Sequence, residues 1–346
     1  MQTILVTGSA GFIGFHLSQL LLAEGYRVIG FDSHNDYYVT KLKSDREALL
    51  IDHPNYTAVC GQAEEPGLLM DLFATHKPWA VIHLAAQAGV RYSIENPRCY
   101  AESNLMGSFE LLEAARVHKP AHLMMASTSS VYGANTEMPY RETDPADTQM
   151  SFYAATKKST EMMAHSYAHL FGLPVTMFRF FTVYGPWGRP DMAPYLFTSA
   201  IFEGRPIKVF NHGDMRRDFT YVSDLVRGIR LLLDAVPGTV PVDGDSLSPV
   251  APWRVVNIGN GESVQLLDFI AAIEQAAGIK ARKEMLPIQP GDVPATWADT
   301  SLLRKLTGYT PRTSVQEGAR AYVDWFRQYY VTNEALCPLR TGSVRG

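Results

Sequence analysis

A tyrosine and a lysine four residues apart are the residues whose types and spacing most clearly suggest chemistry. Tyr153 and Lys157 would share one face of a helix, because positions i and i+4 are neighbours on a helical surface. An ammonium group beside a phenol lowers the phenol pKa, so this pair could act as a base near neutral pH. Thr128 follows an apolar run, where its hydroxyl could share a substrate oxygen with Tyr153. We therefore predict Tyr153, Lys157 and Thr128 as catalytic residues.

A glycine-rich segment near the start of the chain predicts a site for a dinucleotide. Gly8, Gly11 and Gly14 lie between an apolar run and a helical pattern, in a turn where side chains would clash with a pyrophosphate. Asp32 ends the next apolar run, where a carboxylate can accept hydrogen bonds from both hydroxyls of the adenosine ribose. That carboxylate would repel a 2′-phosphate, and no arginine follows it, so we expect NAD rather than NADP.

The elements that must position these residues alternate between strand and helix patterns. Helices are predicted over 15–24 and 224–233, and strands over 4–7, 27–31, 80–84, 122–126, 175–180 and 255–258. Uncharged strands separated by helices are typical of a parallel sheet that is covered on both faces. The sequence therefore predicts an α/β, Rossmann-like doubly wound fold, with a smaller substrate-binding domain in the C-terminal half.

The composition narrows the class of protein. The chain has 346 residues, 46% of them hydrophobic, and a net charge of −4, so the balance does not favour nucleic acid or anionic membranes as partners. We find no apolar run long enough to span a bilayer and no basic segment typical of a signal peptide.

Three cysteines without metal-like spacing suit a reducing cytoplasm. His165 and His169 lack the acidic partner of a zinc motif, so we expect no metal site.

The order of these motifs resembles the extended short-chain dehydrogenase/reductase family. The glycine turn, Asp32, the Ser/Thr segment 127–133 and the Tyr-x-x-x-Lys pair all match its pattern. The resemblance implies a Rossmann fold, bound NAD and hydride transfer with the tyrosine as acid and base. It departs at Gln62, where many relatives carry an aspartate near the adenine. The cofactor contacts that we expect are Gly8, Gly11, Phe12, Ile13, Gly14, Asp32, Gln62, Leu84, Ala85, Ala86, Tyr153 and Lys157.

Within this family the chain is similar to the UDP-glucuronate 4-epimerases over nearly its whole length. The similarity rests on the stretches 87–97, 180–192, 217–221 and 289–293. It implies that Thr182 and Arg189 lie near the sugar carboxylate, which a guanidinium can bind with two hydrogen bonds. The substrate-binding residues that it implies are Gln87, Arg91, Ser129, Ser130, Thr182, Arg189, Arg217 and Asp292, with Arg91, Arg217 and Asp292 around the UDP.

Ser129 and Ser130 bear on the reaction because dehydratases of the family carry an Asp-Glu pair at these places. Without an acid to protonate a leaving hydroxyl, dehydration is disfavoured, and epimerisation of UDP-glucuronate to UDP-galacturonate is the expected reaction. Another UDP-sugar 4-epimerase, a UDP-glucuronate decarboxylase and a non-catalytic NAD-binding regulator remain as alternatives.

The resemblance also implies a domain division and an assembly. We expect the NAD-binding domain over 1–186, with returning segments at about 221–234 and 254–280. The substrate domain would take 187–220 and about 281–335. A homodimer that pairs helices near 104–115 and 157–170 is the family expectation.

Overall fold

The computed structural model describes residues 1–238, 240–289 and 292–332. Its strands are β1 (Thr3–Thr7), β2 (Arg27–Asp32), β3 (Tyr56–Cys60), β4 (Ala80–His83), β5 (His122–Thr128), β6 (Val175–Phe180), β7 (Thr182–Tyr184), β8 (Ile207–Val209), β9 (Arg216–Arg217), β10 (Phe219–Tyr221), β11 (Trp253–Ile258), β12 (Val264–Gln265), β13 (Lys283–Met285) and β14 (Ala295–Thr296). Its α-helices are α1 (Phe12–Ala23), α2 (Thr40–Ile51), α3 (Leu68–His76), α4 (Tyr92–Glu95), α5 (Pro97–Tyr100), α6 (Gly107–His118), α7 (Phe152–Phe171), α8 (Ala193–Phe202), α9 (Val222–Leu232), α10 (Leu266–Ala277), α11 (Ser301–Thr307) and α12 (Val315–Phe326).

The central sheet is parallel and doubly wound, as predicted. Its strands lie in the order β11-β6-β5-β4-β1-β2-β3, and each pair of neighbours is parallel. The strand order reverses next to β1, so the carboxyl ends of β1 and β4 flank a crevice suited to a ligand. All six strands predicted from the sequence belong to this sheet, and β3 was not predicted.

Alternating residues of the strands face two separate helix layers. Ile4 and Val6 of β1 pack with α1, α9 and α11, whereas Leu5 packs with α3, α6 and α7. This alternation follows from the two-residue repeat of a strand. Each fully buried aliphatic side chain contributes about 1.5–3 kcal/mol, so both faces of the sheet stabilise the platform for the site.

A smaller hydrophobic cluster lies beside this sandwich. Helices α8, α10 and α12 surround it, and the rings of Phe219 and Phe269 stack at 3.9 Å within it. Within the returning segment expected at about 254–280, β11 joins the main sheet, whereas α10 packs in the smaller cluster, where its apolar face meets α8 and α12. Helix α11 packs against α9 in the larger cluster. The division into two domains stays a prediction.

Candidate active site

The glycine turn leaves no room for side chains. Gly8 has a left-handed φ of +72°, and a Cβ at Gly8 would lie 2.8 Å from the amide nitrogen of Ala85. A Cβ at Gly14 would lie 2.0 Å from the carbonyl oxygen of Gly8. Gly11 caps α1 without a side-chain hydrogen bond, so the free N–H groups of the first helical turn can receive an anion. This confirms the geometry that the glycine spacing predicted.

Asp32 is fixed at the carboxyl end of β2 by the backbone. Its Oδ2 accepts a hydrogen bond from Ala10 N at 3.1 Å, and its Oδ1 accepts one from His34 N at 2.9 Å. Each oxygen keeps a lone pair for a further donor. Lys43 lines the same end of the cleft and donates to Asn35 Oδ1 at 2.7 Å. Burial lowers the pKa of Lys43, and the sequence analysis did not identify this residue.

One cleft of about 460 Å³ joins most of the predicted residues. It runs from the glycine turn and Asp32 to the region around Tyr153. The predicted residues that line it are Gly8, Gly11, Phe12, Ile13, Gly14, Asp32, Leu84, Ala85, Ala86, Gln87, Thr128, Ser129, Ser130, Tyr153, Lys157, Thr182 and Arg189. The sequence motifs at three separate strand ends therefore converge on one site.

Helix α7 presents Tyr153 and Lys157 to this cleft. Ser151 caps the helix by accepting a hydrogen bond from Ala154 N at 3.1 Å, which places Tyr153 in its first turn. Lys157 lies one turn later, and its Nζ donates to the carbonyl oxygen of Ala126 at 2.8 Å. Thr128, at the end of β5, accepts from Ser130 N at 3.2 Å and donates to Ser130 Oγ at 3.3 Å.

Burial is the largest influence on the pKa values of Tyr153 and Lys157. It raises the pKa of Tyr153, whereas the hydroxyl of Thr128 and the charge of Arg189 act in the opposite direction. Burial lowers the pKa of Lys157 to about 8, and the carboxylate of Glu161 counteracts part of that effect. Lys157 thus keeps most of its charge at neutral pH. Its effect on the Tyr153 pKa stays a prediction.

A buried ion pair between Glu161 of α7 and Arg179 of β6 attaches the helix to the sheet. Glu161 accepts hydrogen bonds from Arg179 Nη2 at 2.8 Å and from Ser127 Oγ at 2.6 Å. These bonds tie α7 to the ends of β5 and β6, directly beneath Thr128. The spacing of the sequence does not predict this pair, because its members lie 18 residues apart on different elements. Glu161 lies one helical turn after Lys157, which is the signal that could have indicated it.

Arg189 also lines the cleft, and its guanidinium is paired with the carboxylate of Asp191. Its Nε donates to Asp191 Oδ1 at 3.0 Å, and its Nη2 donates to Asp191 Oδ2 at 2.6 Å. The hydroxyl of Tyr37 donates to the same carboxylate at 3.2 Å. Burial lowers the pKa of Arg189 but Asp191 raises it, and the net direction is upward.

The side chains of Arg46 and His16 contact the backbone of the loop that carries Arg189. Arg46 is fully buried and donates to the carbonyl oxygens of Ala10 at 2.9 Å and of Trp187 at 2.6 Å. His16 Nε2 lies 2.8 Å from the carbonyl oxygen of Pro186. Trp187 has a left-handed φ of +63°. Arg46 therefore connects the glycine turn to the loop of Arg189, a link that the sequence analysis missed.

The residues that we predicted to bind the UDP lie close together, but they are not among the residues that line the cleft. Arg91 forms an ion pair with Asp292 at 3.0 Å, and the charge of Asp292 also acts on Arg217. Arg217 donates to the carbonyl oxygen of Val293 at 2.7 Å. Gln62 is exposed, although its neighbours line the cleft, so its contact with an adenine stays a prediction. Pro290 and Gly291 of the matched stretch lie outside the described residues.

The cleft fits a dinucleotide together with a second polar ligand. The glycine turn and Asp32 have the shape and charge for a pyrophosphate and a ribose at one end. At the other end, the side-chain Nε2 of Gln87 is buried and has no hydrogen-bond partner among the described residues, so a ligand could satisfy it. Across the described ranges there is no group of three or more potential metal ligands, and no helix long and apolar enough to cross a membrane.

Comparisons with known proteins agree with this geometry. A sequence model of a family described as GDP-mannose 4,6 dehydratase matches residues 5–322. A probable UDP-glucuronate 4-epimerase of Rhizobium meliloti (strain 1021) is 51% identical over 94% of this chain and 97% of its own. UDP-glucuronate 4-epimerase 4 of Arabidopsis thaliana is 45% identical over 95% of this chain and 76% of its own.

A solved structure extends the agreement to three dimensions. The UDP-glucuronic acid 4-epimerase of Bacillus cereus, in complex with UDP-glucuronic acid and NAD, superposes with a TM-score of 0.85. It is 34% identical, and the match covers 95% of this chain and all of that one. The chain therefore belongs to the extended short-chain dehydrogenases/reductases, in the family of nucleotide-sugar epimerases and dehydratases that includes the UDP-glucuronate 4-epimerases.

Proposed function

We propose that the protein epimerises UDP-glucuronate reversibly to UDP-galacturonate at C4, with NAD as a retained cofactor. The observation that carries this proposal is the single cleft that joins the glycine turn and Asp32 to Tyr153, Lys157 and Arg189. The kinship with UDP-glucuronate 4-epimerases supports the choice of substrate. The enzyme is thus an isomerase that acts on a nucleotide sugar.

The glycine turn, Asp32 and Lys157 would hold the NAD. When bound, NAD accepts the hydride from C4 and returns it to the opposite face of the sugar. The protein supplies the proton transfer that accompanies this exchange. Tyr153 takes the proton of the C4 hydroxyl as C4 is oxidised, and returns it when the 4-keto sugar is reduced. Thr128 orients the reacting oxygen, and the charge of Lys157 stabilises the Tyr153 phenolate.

Epimerisation requires the 4-keto sugar to turn over while its carboxylate stays protected. The intermediate is a β-keto acid, which loses CO₂ most easily when the breaking C–C bond stands perpendicular to the carbonyl plane. Arg189, Thr182 and the hydroxyls of Ser129 and Ser130 would hold the carboxylate away from that alignment. All four line the same cleft as Tyr153, which supports this assignment.

The uridine diphosphate would extend out of the cleft toward Arg91, Arg217 and Asp292. Arg217 would bind the diphosphate and Asp292 a ribose hydroxyl, and the clustering of the three residues supports this placement. Arg217→Ala should raise the KM for UDP-glucuronate more than it lowers kcat. An unchanged KM would remove Arg217 from the subsite.

The assay for the proposed function uses purified protein, UDP-glucuronate and no added cofactor. Appearance of UDP-galacturonate in NMR spectra, at unchanged mass, supports both the epimerisation and the retention of NAD. Loss of CO₂ would instead identify a decarboxylase, and conversion of neutral UDP-sugars alone would identify another 4-epimerase. Absence of conversion with NAD added would contradict an enzymatic role.

We also propose that two copies of the chain pair through α6 and α7. Apolar side chains recur at helical spacing on an exposed face of each helix, namely Met106, Phe109 and Val117 at α6, and Met162 and Leu170 on α7. Exposed apolar side chains that recur on one face of a helix are typical of an interface. Met162→Glu with Leu170→Glu should convert dimers to monomers in sedimentation velocity, whereas Leu49→Glu on α2 should not. Monomers in the unaltered protein would contradict the proposal.

A cytoplasmic location follows as a proposal from the chemistry of the thiols. Within the described ranges Cys60 and Cys99 form no disulfide, and Cys60 is exposed, which suits a reducing compartment. Fractionation of the producing cells tests it, and recovery from an oxidising compartment would contradict it.

A further inference from the structure

The carboxylate of Asp191 occupies the guanidinium that is expected to receive the sugar carboxylate. Two parallel hydrogen bonds, from Nε and Nη2 of Arg189, join the two side chains. Tyr37 supports the pair twice. Its hydroxyl donates to Asp191, and its ring lies 5.6 Å from the Arg189 guanidinium carbon. The chain itself therefore supplies Arg189 with a counter-charge two residues away on the same loop.

The N–H groups of Arg189 that Asp191 does not use are the ones that a ligand can contact. A guanidinium has five N–H groups, and Asp191 takes one from Nε and one from Nη2. Both N–H groups of Nη1 and one of Nη2 remain for a ligand. A sugar carboxylate would therefore share the cation with Asp191, and the two negative charges would repel each other at short range. A neutral hydroxymethyl group would meet no such repulsion.

We propose that Asp191 is a specificity-determining residue that sets how strongly the site prefers a charged sugar. This inference rests on the proposed function, since it takes the sugar carboxylate as the ligand of Arg189. Asp191 acts through Arg189 and is thus a positioning residue. With a neutral sugar it remains the counter-charge of a largely buried cation, which would otherwise be costly. With a glucuronate it competes, so it reduces the advantage of the charged sugar.

The charge of Asp191 can be removed with little change in shape. In Asp191→Asn the amide oxygen can still accept a hydrogen bond from Arg189, but the negative charge is lost. UDP-glucuronate should then bind more tightly, because its carboxylate becomes the sole partner of the cation. UDP-glucose should bind more weakly, because Arg189 is left without a counter-charge. The ratio of the two affinities should therefore increase, by about fivefold or more given the strength of close charge pairs.

The experiment measures calorimetric binding of UDP-glucuronate and UDP-glucose to NAD-loaded protein. All variants are made in the Tyr153→Phe background, so that no turnover occurs. Asp191→Glu, which restores the charge, should keep the preference of the parent, and Arg189→Ala should bring the two affinities close together. A preference in Asp191→Asn that is equal to or lower than that of the parent would overturn the proposal.

Conversion of UDP-glucuronate by the unaltered enzyme, compared with these affinities, separates this inference from the proposed function. If the unaltered enzyme converts UDP-glucuronate but the preference does not increase in Asp191→Asn, only the role of Asp191 fails. If the unaltered enzyme neither converts UDP-glucuronate nor prefers it to UDP-glucose, the proposed function fails and takes the role of Asp191 with it. Thermal unfolding of each variant with NAD bound verifies that binding is measured on folded protein.

Discussion

The guanidinium of Arg46 donates to the carbonyl oxygen of Trp187 at 2.6 Å and, through its other terminal nitrogen, to that of Ala10 at 2.9 Å. One buried side chain thus joins the turn that would hold NAD to the loop that carries Arg189. The accepting atoms are carbonyl oxygens and the Tyr38 hydroxyl, and the Nε of Arg46 has no partner among the described residues. The two halves of the cleft are therefore fixed relative to each other by a residue that faces neither ligand.

We predict that Arg46→Met uncouples the two loops. Loss of a buried hydrogen-bond network should lower the free energy of unfolding by about 2–4 kcal/mol. The purified variant should carry less NAD and show a higher KM for UDP-glucuronate. Chemical denaturation and the NAD content of the protein measure both effects. Arg320→Met, at an exposed position of α12, is the control and should change neither quantity.

We predict that Gly14→Ala prevents binding of the cofactor. The added Cβ would lie 2.0 Å from the carbonyl oxygen of Gly8, so α1 or the turn must move. The variant should retain little NAD and unfold at a lower temperature. Gly238→Ala adds a Cβ with no atom within 4 Å and should be neutral. Full NAD content in Gly14→Ala would show that the turn tolerates a side chain.

We predict that Tyr153→Phe separates catalysis from binding. Removal of the phenolic hydroxyl takes away the proton acceptor for C4, and turnover should fall by about 10²–10⁴-fold. Binding of NAD and UDP-glucuronate should change little, because the ring is retained. Steady-state kinetics and calorimetry measure the two properties. Turnover within a few fold of the unaltered enzyme would assign the acid/base role to another group.

The raised pKa of Glu142 predicts that the free energy of unfolding changes with pH. This effect does not involve the catalytic residues. Burial raises the pKa of its carboxyl from 4.5 to about 7, and its Oε1 accepts a hydrogen bond from Asn257 N at 2.8 Å. A carboxyl with a raised pKa in the folded state binds its proton more tightly there, so its contribution to stability is lost as the pH rises through about 7. Glu142→Gln keeps the acceptor and removes the titration.

The Tm of Glu142→Gln should therefore rise relative to that of the unaltered protein between about pH 5 and pH 8. Scanning calorimetry across this range measures the difference. Glu137→Gln, on an exposed side chain of the same segment, serves as the control. A difference in Tm between Glu142→Gln and the unaltered protein that stays constant with pH would contradict a raised pKa at Glu142.

The parts of the site that follow from local pattern could be predicted from the sequence. The glycine turn and Asp32 lie within one strand-turn-helix-strand unit, and Tyr153 and Lys157 lie on one helix, so spacing alone places them. The buried strands of the sheet consist mostly of apolar residues and were predicted for the same reason, although Arg179 and Arg254 lie within β6 and β11. Strand β3 was missed because most of it is only partly buried and its residues do not form a purely apolar run.

The parts that depend on packing between distant segments could not be predicted in this way. In the sequence, Arg46 is one of several charged residues on a polar helix. Only the fold brings it into contact with Trp187, which lies 141 residues further along the chain. The pairing of Arg189 with Asp191 depends on the conformation of their loop. The packing of α10 against α8 and α12 could not be predicted either, because an amphipathic pattern shows which face is buried and not what covers it.

The most direct test of the central claim follows a label at C4 through the reaction. The enzyme, without added cofactor, is given UDP-glucuronate that carries deuterium at C4. Because the hydride is expected to leave and return at the same carbon, UDP-galacturonate should form with the deuterium still at C4 and with unchanged mass. Loss of the deuterium to solvent, or loss of CO₂ from the sugar, would contradict epimerisation through a retained hydride.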